Sequence, residues 1–429
     1  MAEGTLLVHK YGGSSVATPE RIRGVAARVV EARRRGHQLV VVVSAMGDTT
    51  DDLLSLASRV VGHDSPQRHG REMDMLLTAG ERISMALLAM AICEMGDEAV
   101  SLTGSQAAII TDDTHTSARI REIRGDRVRA ALDEGKIVIV AGFQGVSAAR
   151  EITTLGRGGS DTTAVALAAA LGAERCEVYS DVRGVYTADP RKVEGARIVP
   201  EISFDELMEL ATSGAQVMHS RAVEIASNFN VDLRLGSALE AGADTIGTLV
   251  TRTPRRMEEV VLTGIAAKSG QAKMVLRRLP PGLRTMTAML IALAEAGVSV
   301  DMISEAAEAD GRMQLQVTLG ESSVARAEEV VAGLAEGMGG GTIETQRGLS
   351  RIALVGSGMH QRPGVYARAF RALLAEEIDI FAVSTSGISI TVLVQGERED
   401  DAVRALHDTF TLELIGESAA VAAGRPEEI

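Results

Sequence analysis

The chain has 429 residues, which is more than one hydrophobic core usually fills, so we expect more than one domain. Aromatic residues make up only 2% and Trp is absent, so the aliphatic side chains and Met must fill the cores. The formal net charge of −14 argues against nucleic acid or an anionic membrane as a partner. Without an apolar run of about 18 residues or a signal-peptide pattern, we expect a cytoplasmic protein. Cys93 and Cys176 lie in apolar contexts, which predicts two buried thiols in a reducing compartment.

The first half of the chain alternates between strand and helix patterns. Thr18-Pro19 is typical of a helix N-cap followed by proline at the first helical position, and Gly36 ends that helix. The predicted strands are Leu6–Val8, Gln38–Val43, Ala99–Leu102 and Ile137–Val140. Further helices are predicted from Asp48-Thr49-Thr50 and over Glu72–Met95. This alternation indicates an α/β sandwich with a mainly parallel sheet.

Two glycine-containing segments follow predicted strands, where ligands bind in such folds. They are Lys10-Tyr11-Gly12-Gly13-Ser14-Ser15 and Ser44-Ala45-Met46-Gly47. Glycines with small hydroxyls suit phosphate oxygens, and Lys10 could neutralise a transferring phosphoryl group. The alternative for Lys10 is a solvated lysine at a strand end. A G-x-x-x-x-G-K-[ST] loop is absent from the sequence, which excludes a P-loop enzyme.

The segment Leu155–Thr163 combines Arg157, two adjacent glycines and a Ser-Asp-Thr-Thr cluster before an Ala/Leu-rich helix. Glycines allow close backbone approach, and a helix start offers free N–H groups to an anion. Arg157 could add a bidentate clamp on a carboxylate or phosphate. An ordinary glycine turn with a Ser or Asp N-cap fits the same residues.

A polar loop, Ser180–Arg191, follows the predicted strand Glu177–Tyr179. Its Gly, Pro, Asp and Arg residues suit a nucleotide-holding loop, and they suit a surface turn equally well. Helices are predicted over Ser203–Thr212 and Gln216–Phe229, and the pattern then thins into a linker.

An internal repeat occupies the last third of the chain. The stretch from Ala292-Leu293 to Ser304 matches the stretch from Ala372-Leu373 to Ser384, 80 residues later. Each copy predicts a βαββ unit, hence two small α+β modules. In this alignment Arg284 stands where the second copy has Gly364, so we expect the first turn to be altered.

Taken together, these motifs resemble the aspartate kinases (aspartokinases) that carry a kinase domain and two ACT domains. The resemblance covers essentially the whole chain, and its strongest element is Gly184–Arg191, GVYTADPR, followed by Ser213-Gly214-Ala215. It implies an amino-acid-kinase three-layer sandwich plus two C-terminal βαββαβ-like ACT modules. The implied domains are a kinase domain at 1–250, a linker at 251–260, and ACT domains at 261–340 and 341–429, one of which can be discontinuous.

The implied reaction is ATP-dependent phosphorylation of the β-carboxylate of L-aspartate, with ATP and Mg²⁺ as cofactors. Catalytic roles fall to Lys10 and Asp161. Substrate contacts fall to Thr50, Glu81, Arg157, Gly158, Gly159 and Ser160. Among these substrate contacts, the resemblance implies that Glu81 pairs with the ammonium group of aspartate and Arg157 with its α-carboxylate. Without the resemblance, Glu81-Arg82 is better explained as an exposed helix salt bridge.

The nucleotide contacts implied by the resemblance are Lys10, Tyr11, Gly12, Gly13, Ser44, Ser180, Asp181, Tyr186, Thr187, Ala188, Asp189, Pro190, Arg191 and Gln216. Lysine and threonine as effectors would contact Gln361, Arg362, Pro363, Gly364, Ser384 and Thr385. No protein ligand of a metal is assigned. The implied partners are further copies of the chain through the ACT modules, or a short subunit started at Met257.

Three features depart from the family pattern. Gln216 stands where a lysine is usual, which predicts weaker ATP binding. The first ACT module has Pro281, Leu283 and Arg284 at the usual Asp-x-Pro-Gly elbow, and Glu305-Ala306 after its second strand. The second has Gly387 and Ser389 at the usual Glu and Lys/Arg positions. We therefore expect weakened or altered feedback. The alternatives are a catalytically weak amino-acid sensor, prompted by Gln216, and another amino-acid kinase.

Overall fold

The computed structural model describes residues 5–62, 66–215, 217–240, 246–254, 262–338, 341–359 and 364–410. The chain divides into two compact units. The first holds residues up to 185, 198–212 and most of 216–255, and the second holds 186–197, 213–215 and the chain from 256 onward. Each unit has its own hydrophobic core.

The helices of the first unit are α1 (Pro19–Arg34), α2 (Thr49–Val61), α3 (Gly70–Leu77), α4 (Ala79–Glu94), α5 (Asp126–Asp133), α6 (Gly159–Leu171), α7 (Phe204–Thr212) and α8 (Ser220–Phe229). Its strands are β1 (Leu6–Tyr11), β2 (Gln38–Val43), β3 (Ala99–Leu102), β4 (Ile109–Thr111), β5 (Ile120–Ile123), β6 (Ile137–Ala141), β7 (Gln144–Ser147), β8 (Ile152–Thr154), β9 (Arg175–Ser180), β10 (Glu201–Ser203), β11 (Leu233–Ser237) and β12 (Ile246–Thr251).

Eight of these strands form one sheet in the order β10-β12-β11-β9-β1-β2-β6-β3. All neighbours are parallel except β11 and β12, which confirms the predicted mainly parallel sheet. Central strands such as β2 and β6 are apolar along their length because helices cover both faces. Side chains from α1 and α4 pack on one face, and α6 packs against the other.

A second sheet of the first unit, β5-β4-β7-β8, was not predicted. Its strands have three or four residues each, too short to give a clear periodic pattern. The predicted helix over Glu72–Met95 is divided at Thr78 into α3 and α4. By length and composition Gly70–Glu94 could cross a membrane, but Leu77, Leu88 and Ile92 are buried in the fold. Cys176 is buried as predicted, whereas Cys93 is exposed, so that part of the prediction is wrong.

The second unit contains α9 (Leu283–Glu295), α10 (Val324–Gly337), α11 (Val365–Ala375) and α12 (Glu399–Phe410). Its strands are β13 (Gly264–Leu279), β14 (Val300–Ala307), β15 (Met313–Gly320), β16 (Thr342–Val355), β17 (Ala382–Thr385) and β18 (Ser389–Gln395). They form an antiparallel sheet in the order β14-β15-β13-β16-β18-β17. The long strand β13 contributes to two cores, Ile265 to one and Met274 to the other, which agrees with the two predicted α+β modules.

The repeat is visible in the packing of these two cores. Leu293 and its counterpart Leu373 are both buried in the sheet-facing side of their helices. The helix starts differ, however: Gly282 precedes α9 with φ +110°, and Gly364 precedes α11 with φ +97°. The first copy therefore keeps its glycine, and α9 is two residues longer at its N-terminus. The expectation that Arg284 replaces Gly364 is wrong, because Arg284 lies inside the first turn of α9.

Residues 186–197, which begin inside the GVYTADPR motif at Tyr186, belong to the second unit. Thr187 is fully buried, and its Oγ1 lies 3.0 Å from Nε2 of His407 on α12. Lys192 pairs with Glu399 and, at 2.6 Å, with Asp400. The predicted domain boundaries stay predictions. A kinase domain at 1–250 would include residues 186–197, whereas the compact units place them with the second unit.

Candidate active site

Lys10 lies at the carboxyl end of β1, in the middle of the parallel sheet. Alternation along the strand directs Lys10 toward α6, while Tyr11 is directed toward the opposite core. The Lys10 Nζ lies 2.6 Å from Oδ1 of Asp161, and both side chains are about nine-tenths buried. Lys10 is therefore not a solvated lysine, and that alternative is wrong.

Helix α6 begins where the glycine-rich segment predicted an anion site. Gly158 is its N-cap with φ +67°, and no side chain in the described ranges caps the helix, so the Ser or Asp N-cap alternative is wrong. A Cβ on Gly158 would lie 2.1 Å from the Cβ of His219, so only glycine fits there. The helix start thus keeps the positive end of its dipole open to a ligand.

Glu81 lies in the first turn of α4 and is only 3% exposed, which rules out an exposed helix salt bridge. Its Oε1 accepts a hydrogen bond from the backbone N–H of Ala45 at 3.1 Å. Its Oε2 has no hydrogen-bond partner among the described residues. Burial raises the pKa of this carboxyl from 4.5 to about 7, because hydrogen bonds to backbone N–H groups offset only part of the lost hydration.

These groups line one cavity of about 540 Å³ in the first unit. The predicted site residues in its wall are Lys10, Gly12, Gly13, Ser44, Thr50, Glu81, Arg157, Gly158, Gly159, Ser160 and Asp161. The two strand-end segments are held together by backbone hydrogen bonds, from Ser44 N to Tyr11 O at 3.1 Å and from Gly47 N to Gly13 O at 3.1 Å. The cavity therefore joins buried charges of both signs with uncapped backbone N–H groups.

Several predicted nucleotide contacts lie outside this wall. The Tyr11 ring is fully buried and stacks on Tyr179 at 5.1 Å, which does not support a nucleotide contact by its side chain. Thr187 and Ala188 are likewise buried, within the second unit. Ser180 and Asp181 belong to the first unit, and Tyr186, Asp189, Pro190 and Arg191 to the second.

Arg191 is largely exposed and pairs with Asp189, its Nη2 lying 2.8 Å from Oδ2. Gln216 lies outside the described residues, as do Met257 and three of the predicted effector contacts, Gln361, Arg362 and Pro363. Of the remaining effector contacts, Gly364 caps α11, and Ser384 and Thr385 are exposed on the edge strand β17.

The cavity wall also contains residues that the sequence did not single out. Thr116, Phe143 and Thr154 line it, and Met73 and Leu77 contribute an apolar side from α3. Between those two α3 residues lies Asp74, a fully buried carboxylate. The sequence did carry a signal here, since an acidic residue inside an apolar helical stripe needs buried partners.

Comparisons with known proteins agree with this geometry. The profile of the Amino acid kinase family matches residues 5–237, and that of an ACT domain matches residues 352–410. An aspartokinase of Mycolicibacterium smegmatis is 47% identical over 412 residues, covering 95% of this chain and 96% of that protein. An aspartokinase of Corynebacterium glutamicum is 47% identical over 421 residues, covering 97% and 98%.

Solved structures give the same result. The crystal structure of E. coli aspartokinase III in complex with aspartate and ADP matches with a TM-score of 0.79 at 25% identity, over 95% of this chain and all of that one. The lysine and aspartate complex of the same enzyme matches with a TM-score of 0.70 at 25% identity, over 94% and 99%. On sequence, on fold and on the charged cavity of its first unit, the chain belongs to the aspartokinase family.

Proposed function

We propose that the cavity of the first unit is where the β-carboxylate of L-aspartate receives the γ-phosphoryl group of ATP. The observation that carries this is the buried pair of Lys10 and Asp161, which shares one cavity with Glu81 and Arg157. These charges suit the two reactants, since aspartate brings one ammonium and two carboxylates and ATP brings a chain of phosphates.

Aspartate recognition is assigned to the side of the cavity that carries Glu81 and Arg157. Oε2 of Glu81 is free for the substrate ammonium, and the exposed guanidinium of Arg157 suits the α-carboxylate through two parallel hydrogen bonds. Thr50 and Ser160 supply hydroxyls, and Gly158 and Gly159 supply backbone at the α6 start. The related E. coli enzyme was crystallised with aspartate and ADP.

The chemistry requires no general base. An aspartate carboxylate has an ordinary pKa of about 3.9 and is already ionised at neutral pH. The remaining tasks are to bring two anions together and to stabilise charge on the transferring phosphoryl group. Lys10 supplies the cation for this, and Asp161 holds it at 2.6 Å in one position. Gly12, Gly13 and Ser44 would contact the phosphates through backbone and hydroxyl groups.

Mg²⁺ fits this site as an ion carried by the nucleotide. The described residues contain no group of three or more His, Cys, Asp and Glu side chains that could hold a metal. Mg²⁺ usually keeps several waters and binds through phosphates plus one or two carboxylates, of which Asp161 is the candidate here. When bound, it would supply charge neutralisation at the β- and γ-phosphates.

The remaining predicted roles are proposals of the same kind. Ser180, Asp181, Tyr186, Asp189, Pro190, Arg191 and Gln216 would contact the nucleotide. We also propose a cytoplasmic enzyme that self-associates through its ACT modules. Among the described strands, β14 and β17 form the two outer edges of their sheet, which supports the self-association because exposed sheet edges tend to pair.

Replacing Arg157 by lysine tests the assignment of the substrate side. Lysine keeps the charge but loses the planar fork, so we expect the KM for aspartate to rise about tenfold or more. The KM for ATP should change much less. Steady-state kinetics with each substrate varied in turn measures both. Arg59→Lys, an exposed arginine on α2, is the matched control. An unchanged KM for aspartate contradicts the assignment.

Feedback by lysine and threonine is expected to be weakened or altered. Although Gly282 is retained, the longer start of α9 adds Leu283, which is 72% exposed, and Arg284 beside the turn. Feedback depends on a coupling free energy of about 1–3 kcal/mol, which a rebuilt pocket can remove. We therefore expect incomplete inhibition of the purified enzyme by millimolar lysine and threonine, alone or together. Complete inhibition contradicts this expectation.

A further inference from the structure

Asp74 is a fully buried carboxylate that has no assigned role in the proposed reaction. Its Oδ2 lies 2.6 Å from Nδ1 of His115. Its Oδ1 accepts hydrogen bonds from Oγ1 of Thr154 at 2.5 Å and from the backbone N–H of Thr116 at 3.0 Å. Burying a carboxylate is unfavourable unless it is well partnered. This carboxylate therefore binds two separate segments, 115–116 and 154, to helix α3.

Both segments form part of the cavity wall. Thr116 lines the cavity with φ +65°, a backbone conformation that a β-branched residue rarely adopts. The hydrogen bond from its N–H to Asp74 helps to hold it there. The carbonyl oxygen of Thr116 would lie only 3.2 Å from a Cβ on Gly156, so Thr116 sits directly against the turn that precedes Arg157.

Arg221, in the first turn of α8, holds the same two segments from another side. Its Nη1 donates to the carbonyl oxygen of Leu155 at 2.7 Å, and its Nη2 donates to that of Ala118 at 3.0 Å. Ala118 N in turn donates to Thr154 O at 2.9 Å. A carboxylate and a guanidinium thus fix the 115–118 segment against the 154–157 turn.

We propose that Asp74 is a positioning residue for Arg157, with Arg221 as its counterpart, and that both act on recognition of the aspartate α-carboxylate. The proposal rests on the role proposed for Arg157 above. Arg157 makes no hydrogen bond or ion pair within the described part of the chain, so its direction depends on the backbone turn that carries it. A shift of about 1 Å in a substrate-binding group can reduce activity about 100-fold.

The test compares two substrates, L-aspartate and its α-amide, which keeps the reacting β-carboxylate but has no α-carboxylate. In Asp74→Asn the amide nitrogen cannot accept, so at least one of the three donors loses its partner. We expect kcat/KM for L-aspartate to fall about 10-fold to 100-fold. The value for the α-amide and the KM for ATP should change less than about threefold. Glu206→Gln is the matched control, because Glu206 is a buried carboxylate on α7 that accepts a hydrogen bond from Ser203, the residue just before that helix.

The preference is the ratio of kcat/KM for L-aspartate to kcat/KM for the α-amide. If Asp74→Asn leaves this ratio unchanged, whether or not both values fall, the proposal is overturned. Arg157→Lys separates it from the proposed function. If that variant keeps the preference, the role of Arg157 is wrong. If Arg157→Lys loses the preference and Asp74→Asn keeps it, only the positioning role is wrong. Should Asp74→Asn fail to fold, Arg221→Lys, which retains the charge and loses one of two hydrogen bonds, is judged by the same ratio.

Discussion

Replacing Glu81 by glutamine is expected to abolish efficient use of aspartate and to make the ligand-free protein more stable above pH 7. Oε2 of Glu81 has no partner among the described residues, and the side chain is 3% exposed. Leaving a charged ligand without its counter-charge in a buried site typically costs several kcal/mol, so we expect kcat/KM for aspartate to fall about 100-fold or more. Steady-state kinetics at pH 8 measures this, and a loss below about threefold contradicts it.

The gain in stability follows from the raised pKa of Glu81. Because the folded-state pKa lies near 7 and the usual value is 4.5, the fold favours the protonated form. That contribution is fully present below pH 4.5 and is lost as the pH rises through about 7, amounting to roughly 3 kcal/mol. Glutamine is neutral at every pH. The apparent Tm of Glu81→Gln should therefore exceed that of the wild type by an amount that grows between pH 5 and pH 8.

The same pKa predicts how activity depends on pH. Glu81 must be ionised to bind an ammonium, so kcat/KM for aspartate in the wild type should fall as the pH drops below about 7. Glu94→Gln, an exposed glutamate on the same helix, is the control and should change neither profile. A pH-independent Tm difference between Glu81→Gln and the wild type contradicts the burial argument.

Much of this site was predictable because strand ends and glycine-rich segments carry their signal locally. Lys10 and Ser44 follow apolar strands, and Arg157 and Ser160 flank two glycines, so the sequence alone marked them as candidates for ligand binding. The structure places all four in the wall of one cavity. Glu81 was different. Its sequence context is that of an exposed glutamate that forms a salt bridge on a helix, and only the resemblance to aspartokinases indicated a role in substrate binding.

Long-range packing was not predictable in this way. Asp74, Thr116 and Thr154 meet only because α3 lies beside β8, and their hydrogen bonds join residues about 40 and 80 positions apart. The strands of the small sheet are too short for periodicity to reveal. The alignment of the repeat also gave a wrong prediction at the start of α9. This helix is two residues longer at its N-terminus than α11, so its capping glycine is Gly282 and not the residue aligned with Gly364.

Lys10→Met is expected to lower kcat by about 1,000-fold, because it removes the buried cation assigned to the transferring phosphoryl group. It is also expected to destabilise the fold. Removing one partner of a buried ion pair leaves the other charge uncompensated and typically costs about 3–5 kcal/mol, and here Asp161 would be that charge. Loss of activity in the single variant could therefore come from either effect.

The double variant Lys10→Met with Asp161→Asn separates the two effects. It removes both charges, so the apparent Tm should recover most of the loss seen in Lys10→Met, whereas kcat should stay low. Lys136→Met is the control, a lysine that precedes β6 at the opposite end of the same sheet and pairs with Glu134. Recovery of kcat together with Tm would show that Lys10 serves only to neutralise Asp161. Recovery of Tm alone shows that the low kcat does not come from the uncompensated charge. Because Asp161 is itself a proposed contact of Mg²⁺, the single variant Asp161→Asn completes the comparison. A kcat well above that of the double variant assigns the remaining loss to the Lys10 cation, and an equal kcat contradicts that assignment.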